Sequence, residues 1–318
     1  MKPTLLILGA ALCLQSVQTR ASELKEFPSQ THWVLRVDFK AAQASPLVNY
    51  IASQMDANKR VEAQNKLAAF KAIFGFDPLK DIDQLVIAGN GNAEKGGVAY
   101  IYGTFDAQRL TTILAGSKNF ASADHDGVAM LSWVDEKDNK AKCLAFAKPG
   151  LALLSSSPAA LAEALDVLAG KQAGLAPDSP LSDAFARAPQ NMLSLHAFDI
   201  AAIVGQTPKA EMLKQAQALS LRVQAVNADT LEATLSVTAA TDETALKIHQ
   251  AVMGIQALMM LQADAKPEAA TLASLAQINS NGRTVSVTLK LPKAVIENAV
   301  AERQAHQTAA APVPAAVN

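Results

Sequence analysis

The sequence has few cysteines, few aromatic residues and almost no net charge. Of its 318 residues only two are cysteine, 5% are aromatic, and 28 basic residues stand against 29 acidic ones. So few thiols cannot build a disulfide framework, and the fold must be held by an apolar core. The near-zero net charge gives no sign of the clustered Lys and Arg that nucleic-acid binding requires. Since 50% of the residues are hydrophobic, a chain that is disordered as a whole is also excluded.

The usual motifs of metal binding and nucleophilic catalysis are also missing. None of the five histidines belongs to a His-Glu-x-x-His pattern, and there is no Gly-x-Ser-x-Gly elbow. Asp124-His125-Asp126 is the densest group of possible ligands, but it precedes Gly127 and a strand-like run, which favours a solvated turn. Helix capping accounts for Ser155-Ser156-Ser157 better than catalysis does. We therefore expect no catalytic residue, no metal site and no cofactor.

Residues 1–21 have the pattern of a secretory signal peptide. Lys2 supplies the positive start, the apolar stretch runs from Leu5 to Val17, and small residues surround Ala21. The stretch is shorter than the roughly 20 residues that a membrane crossing needs, which favours cleavage over an N-terminal anchor. The pattern predicts a periplasmic or secreted protein. Cleavage would leave Cys143 as the one thiol, and its alternating strand-like surroundings predict a small buried side chain.

The order of strand-like and helix-like segments predicts an α+β fold of two diverged tandem repeats, each an antiparallel sheet with packed helices. Landmarks in the two halves keep a nearly constant offset of 134, 136 and 134 positions, in the pairs Leu85 and Leu219, Asp106 and Asp242, and Pro158 and Pro292. Two unrelated α+β segments with common capping rules are the alternative. The predicted boundaries are a first repeat at 22–171, a linker at 172–189 rich in Gly, Pro and Ser, a second repeat at 190–308 and a disordered tail at 309–318.

One helix-like segment, Ala251 to Leu261, is apolar over nearly its whole circumference. It is too short to span a membrane, so we expect no transmembrane segment in the mature chain. A helix buried in the core is the favoured interpretation, and a helix facing an apolar ligand groove is the alternative. Met side chains adapt to variable apolar ligands. The candidate groove residues are Val252, Met253, Ile255, Met259 and Met260.

The segment Gly75-Phe76-Asp77-Pro78-Leu79-Lys80-Asp81-Ile82-Asp83 resembles one found in uncharacterised exported bacterial α+β proteins, where Gly-x-Asp-Pro-x-x-Asp-hydrophobic-Asp precedes a strand. The resemblance covers mainly the first half and implies no catalytic residues. We therefore expect an exported cell-envelope binding or scaffold protein without catalytic activity, whose partner is an envelope protein. A periplasmic carrier of a lipid or other apolar ligand is the first alternative. A hydrolase with an unrecognised site near His125 or His196 is the second.

Overall fold

The computed structural model describes residues 24–54, 57–91, 96–182, 191–200, 203, 215–263 and 267–309. The predicted signal peptide at 1–21 lies outside these residues, as does the predicted tail beyond residue 309. The strands are β1 Trp33–Asp38, β2 Ile82–Gly89, β3 Gly97–Gly103, β4 Ala121–His125, β5 Val128–Val134, β6 Ala141–Lys148, β7 Leu151–Ser155, β8 Leu193–Phe198, β9 Ala216–Asn227, β10 Thr230–Ala239, β11 Ala276–Asn281 and β12 Thr284–Pro292. The helices are α1 Phe39–Ala44, α2 Pro46–Ser53, α3 Ala57–Phe74, α4 Ala107–Leu114, α5 Pro158–Leu168, α6 Asp242–Leu261, α7 Pro267–Leu275 and α8 Lys293–Ala309.

All twelve strands belong to one antiparallel sheet, in the order β11-β12-β10-β9-β8-β1-β2-β3-β7-β6-β5-β4. At its centre β1 pairs with β2 on one side and with β8 on the other, where Val34 lies opposite His196. The strands of both halves therefore form one continuous hydrogen-bonded ladder. Helices together with a large antiparallel sheet confirm the α+β class.

Side chains alternate between the two faces of the sheet, which we call the front and back faces. The front face of the first half carries Val34, Val86, Tyr100 and Leu153, and α5 packs on it to form the main core cluster. On the back face, separate clusters seat α1, α2, α4, α6 and α8. Helix α5 and helix α8 therefore lie on opposite faces of the sheet.

In the second half the front face is polar. Its cross-strand rows include His196 opposite Ser220, and Ser220 opposite Ser236. Thr238 and Thr284 face each other in the same way, with their hydroxyl oxygens 3.0 Å apart. Most apolar residues of these strands point to the back face, whereas Phe198 lies on the front face and packs against the main core cluster.

Five helices begin directly after a capping residue. Asp38, Ser45, Asp106, Ser157 and Thr241 each accept a hydrogen bond from the backbone N–H three residues further on. This satisfies an N–H group that has no partner within the helix. Local sequence therefore sets these helix boundaries.

Two strands differ from the sequence-based expectation. The expected helix from Pro267 to Ile278 ends at Leu275, and Ile278 lies in β11. Of the turn expected at Asp124-His125-Asp126, only Asp126 lies in the turn, while Asp124 and His125 end strand β4. Both strands lie at the edges of the sheet and carry mostly exposed side chains, so neither has the apolar alternation that announces a strand.

The segment 24–31 is built into the core of the first half. Phe27 is fully buried, and its ring lies 4.7 Å from the ring of Tyr100 in an edge-on arrangement. Pro28 forms a bridge to Gly174 in the predicted linker, where the backbone of Lys25 passes so close that a Cβ atom would collide with its carbonyl group. Only glycine fits at position 174 without a backbone shift. Leu175 and Leu181 of the same stretch are buried.

Candidate binding sites

Helix α6 is fixed to the protein along one side. Ala245 and Ile248 are buried on the back face of the sheet, and Val252 packs against them. Further along, the Gln256 side-chain N–H donates to the carbonyl oxygens of Ala273 at 2.8 Å and Ala276 at 2.9 Å. These bonds hold the C-terminal half of α6 against α7 and the start of β11.

The other side of α6 is an exposed apolar surface, and the favoured prediction of a buried helix is wrong. Leu246, Met253, Ile255, Leu258 and Met260 are 50–60% exposed, and Leu261 is 82% exposed. We call these six residues the α6 apolar surface. The helix lies on a flat sheet, which covers one side of it, whereas the sequence is apolar on all sides.

The five predicted groove residues are divided between the two sides of α6. Met253, Ile255 and Met260 belong to the exposed surface, while Val252 and Met259 are half-buried. From residue 250 to residue 263 the helix and its end carry no charged side chain. Large exposed apolar patches are uncommon on monomeric proteins and mark surfaces that bind partners or ligands.

A separate apolar cavity of about 470 Å³ opens between α7, β12 and α8. It is lined by Leu272, Leu291, Val295, Ile296, Ala299 and Val300, with Glu268, Thr271 and Asn298 as its polar groups. None of the five predicted groove residues lines it. Its volume falls within the range of small-molecule sites. Sequence reasoning missed this cavity because its walls come from three elements, none of which stands out alone.

A polar pocket of about 350 Å³ lies on the front face of the second half. His196, Ser220, Arg222 and Ser236 line it, together with Pro180 at one end. Burial, and next the positive charge of Arg222, lower the pKa of His196 to about 4. The imidazole is therefore neutral at neutral pH. A general base works best with a pKa near the working pH, so His196 is a weak candidate for proton transfer from a hydroxyl group.

Three other residues that could act as nucleophiles, Cys143, Ser155 and Ser157, have structural roles. Cys143 is buried as predicted, and its thiol donates to the carbonyl oxygen of Ser155 at 3.3 Å. Burial raises the pKa of the thiol to about 11, which disfavours the reactive thiolate. The Ser157 side chain caps α5, and the Ser155 hydroxyl donates to the carbonyl oxygen of Gly97 at 2.9 Å.

The Gly75–Asp83 segment forms a turn that leads into β2. The Asp81 carboxylate accepts from the backbone N–H of Asp77 at 2.7 Å, and the Asp77 carboxylate accepts from that of Leu79 at 3.0 Å. Asp83 forms a 2.8 Å ion pair with Lys40. Asp77 and Asp81 thus satisfy loop amides directly before the strand, and Asp83 pairs with Lys40 at its start.

Comparison with known proteins gives no family assignment. No protein-family model and no curated protein matches the sequence. The chain is similar to a solved structure described as "Structure of crystal form I of TP0453", at 11% identity and a TM-score of 0.47, over 88% of this chain and 96% of that chain. Within the described residues, no helix is both long and apolar enough to cross a membrane.

Proposed function

We propose that this chain is an exported cell-envelope binding protein without catalytic activity, and that it binds a partner protein through the α6 apolar surface. The exposure of six large apolar side chains on one rigidly seated helix carries the proposal. Burying such side chains against a partner gains roughly 25 cal/mol per Å² of apolar area. Export rests on the signal-peptide pattern of residues 1–21.

The charges around α6 favour a protein partner over a lipid surface. Helices that lie on anionic membranes carry Lys and Arg beside their apolar face. The nearest charged residues within α6 are Glu243 and Lys247, which pair with each other at 2.7 Å and leave no basic excess. The Met side chains at 253 and 260 suit an apolar protein surface because they adapt to its shape.

The absence of catalysis is supported by the chemistry of the candidate groups. The buried Cys143 thiol has a raised pKa, and the His196 imidazole has a lowered one. Neither shift moves its group toward the pKa near 7 that nucleophilic or general base catalysis needs.

Photo-crosslinking in the native cell tests whether a partner protein binds the α6 apolar surface. A photoreactive residue at Leu258 is expected to give a discrete protein adduct, while the same residue at the exposed Lys66 of α3 gives none. The change Ile255→Glu places a charge in the contact and should reduce the Leu258 adduct about tenfold or more. The absence of a discrete adduct at Leu258, an equal adduct at Lys66, or an adduct with lipid alone would each refute a protein partner on this surface.

The cavity between α7, β12 and α8 favours a second candidate function, a periplasmic carrier of a lipid or another apolar ligand. Native mass spectrometry of the purified chain would show a bound molecule in that case. Ala299→Trp, which fills the cavity, should remove the bound mass. Ala294→Trp, on the exposed side of α8, should keep it. Protein without added mass, or equal retention by both variants, contradicts a carrier.

We also infer that the two halves arose by duplication and then diverged. Outward from the central pair, the order β1-β2-β3-β7-β6 in the first half corresponds to β8-β9-β10-β12-β11 in the second. The β4–β5 hairpin extends the first half alone, and α5 and α8 lie on opposite faces, so divergence includes an added hairpin and a relocated helix. Less diverged relatives should show sequence identity between their halves near the offset of 134 positions.

A further inference from the structure

The tip of the β4–β5 hairpin brings a histidine and two carboxylates together with helix α5. His125 is the last residue of β4, Asp126 follows it in the turn, and Asp166 lies near the end of α5. One potential ligand atom from each of the three residues lies within 4.8 Å of the other two. The sequence grouped Asp124 and Asp126 with His125, but the Asp124 carboxylate accepts from the backbone N–H of Gly127 at 3.1 Å.

The distances between these atoms are close to those of a tetrahedral zinc site. His125 Nε2 lies 2.8 Å from Asp166 Oδ1 and 3.7 Å from Asp126 Oδ2. Ligand atoms bound tetrahedrally at about 2.0–2.1 Å are separated from one another by about 3.3 Å. Both distances from His125 Nε2 therefore lie within about half an ångström of that separation, and one ligand atom from each of the three residues lies within 4.8 Å of the others. Imidazole nitrogen and carboxylate oxygen are both ordinary ligands of Zn²⁺.

We propose that His125, Asp126 and Asp166 form a binding site for a divalent transition-metal ion, with Zn²⁺ as the best match. The three side chains supply three of four ligands, and water supplies the fourth. This differs from the sequence-based expectation of no metal, because Asp166 stands 41 positions from His125 and only the fold unites them.

The residues around the cluster are compatible with an incoming cation. Lys171 pairs with Asp126 at 2.6 Å, and both side chains are about half exposed. The flexible ammonium group can turn to solvent when the metal takes its place. Gln172 donates to the other oxygen of Asp166 at 3.0 Å, and this bond orients the carboxylate.

A metal ion here would tie the edge of the sheet to helix α5. Strand β4 is the outermost strand on its side, and four of its five residues are exposed. The hairpin reaches the core through Val128 and Met130 on β5. The bound ion would add a second attachment at the hairpin tip and protect an exposed strand edge from pairing with other chains.

Metal titration of the tag-free chain, after removal of metals by EDTA and dialysis, tests the site. Calorimetry with Zn²⁺ should show one ion bound per chain, and Co²⁺ should give the visible absorption bands of a tetrahedral complex. His125→Ala and Asp166→Asn should each weaken Zn²⁺ binding by at least 10- to 100-fold. Asp126→Asn, at the exposed turn, provides a third variant whose folding does not depend on the His125–Asp166 bond.

Two matched variants control for unspecific binding. Asp138→Asn removes a carboxylate from another hairpin turn, and His249→Ala removes a histidine on α6. Both should bind Zn²⁺ as the unmodified chain does, and circular dichroism should show that each variant is folded. The absence of a one-to-one complex, or equal Zn²⁺ affinity in the His125, Asp126 and Asp166 variants, would overturn the proposal. In that case the cluster is an ordinary ion-pair contact between hairpin and helix.

Discussion

The change Phe27→Ala is expected to lower the free energy of unfolding by about 3–5 kcal/mol, the usual cost of removing a buried aromatic ring. Phe27 has no exposed surface and contacts Tyr100 edge-on in the main core cluster. The surrounding contacts prevent the cavity from collapsing, because Tyr102 and Lys148 both bind the neighbouring Glu26 carboxylate, at 2.7 and 2.6 Å. Urea unfolding of the two proteins measures the difference.

Ile73→Ala is the matched control for Phe27→Ala. Ile73 is a large apolar residue on α3 that is 55% exposed, and its truncation should change stability by no more than about 0.5 kcal/mol. If Phe27→Ala also costs less than about 1 kcal/mol, segment 24–31 is not part of the core. A large loss would instead show that this segment stabilises the sheet as a core strand does.

Acidification is expected to destabilise the protein through His196. The pKa of His196 is near 4 in the folded chain, whereas its ordinary value is 6.5. Between these two pH values the unfolded chain binds the proton more readily, so the free energy of unfolding falls as the pH falls from about 6.5 to about 4. The accumulated loss is on the order of 3 kcal/mol. Below pH 4 both states are protonated, and this residue causes no further loss.

Comparison of His196→Gln with the unmodified chain isolates this contribution from that of the carboxylates. Unfolding by urea at several values between pH 4 and 7.5 should show a weaker pH dependence for His196→Gln. NMR titration of the His196 ring supplies a direct measurement. A ring that titrates near pH 6.5 in the folded protein would disprove the mechanism.

Local sequence was sufficient to predict the α+β class and several helix starts and strands, but not the joining of all strands into one sheet. Asp106, Ser157 and Thr241 predict helix starts because each side chain satisfies a backbone N–H within its own first turn. Short apolar runs predicted the central strands, in which Val34 and Val86 are buried under α5. These signals arise from interactions between residues close in the chain or from a regular pattern of burial.

The candidate binding sites could not be predicted in the same way, because they depend on long-range neighbours. The apolar circumference of α6 is compatible with full burial, and only its placement on a sheet shows that Leu258 and Leu261 are exposed. Likewise, the short sequence around His125 contains no sign of Asp166. The sequence predicts that the helix from Pro267 continues to Ile278, whereas Ile278 lies in β11 and pairs with Val287 of β12.

The position of β1 at the centre of the sheet has a consequence for the nascent chain. Its first partner, β2, leaves the ribosome soon afterwards, but its other partner, β8, follows only after the whole first half has been synthesised. Until then, the backbone groups of β1 on that side have no strand to pair with, and an open edge invites pairing with another chain. This edge of β1 therefore stays open until β8 is available, since the last central ladder closes only when Val34 and His196 meet.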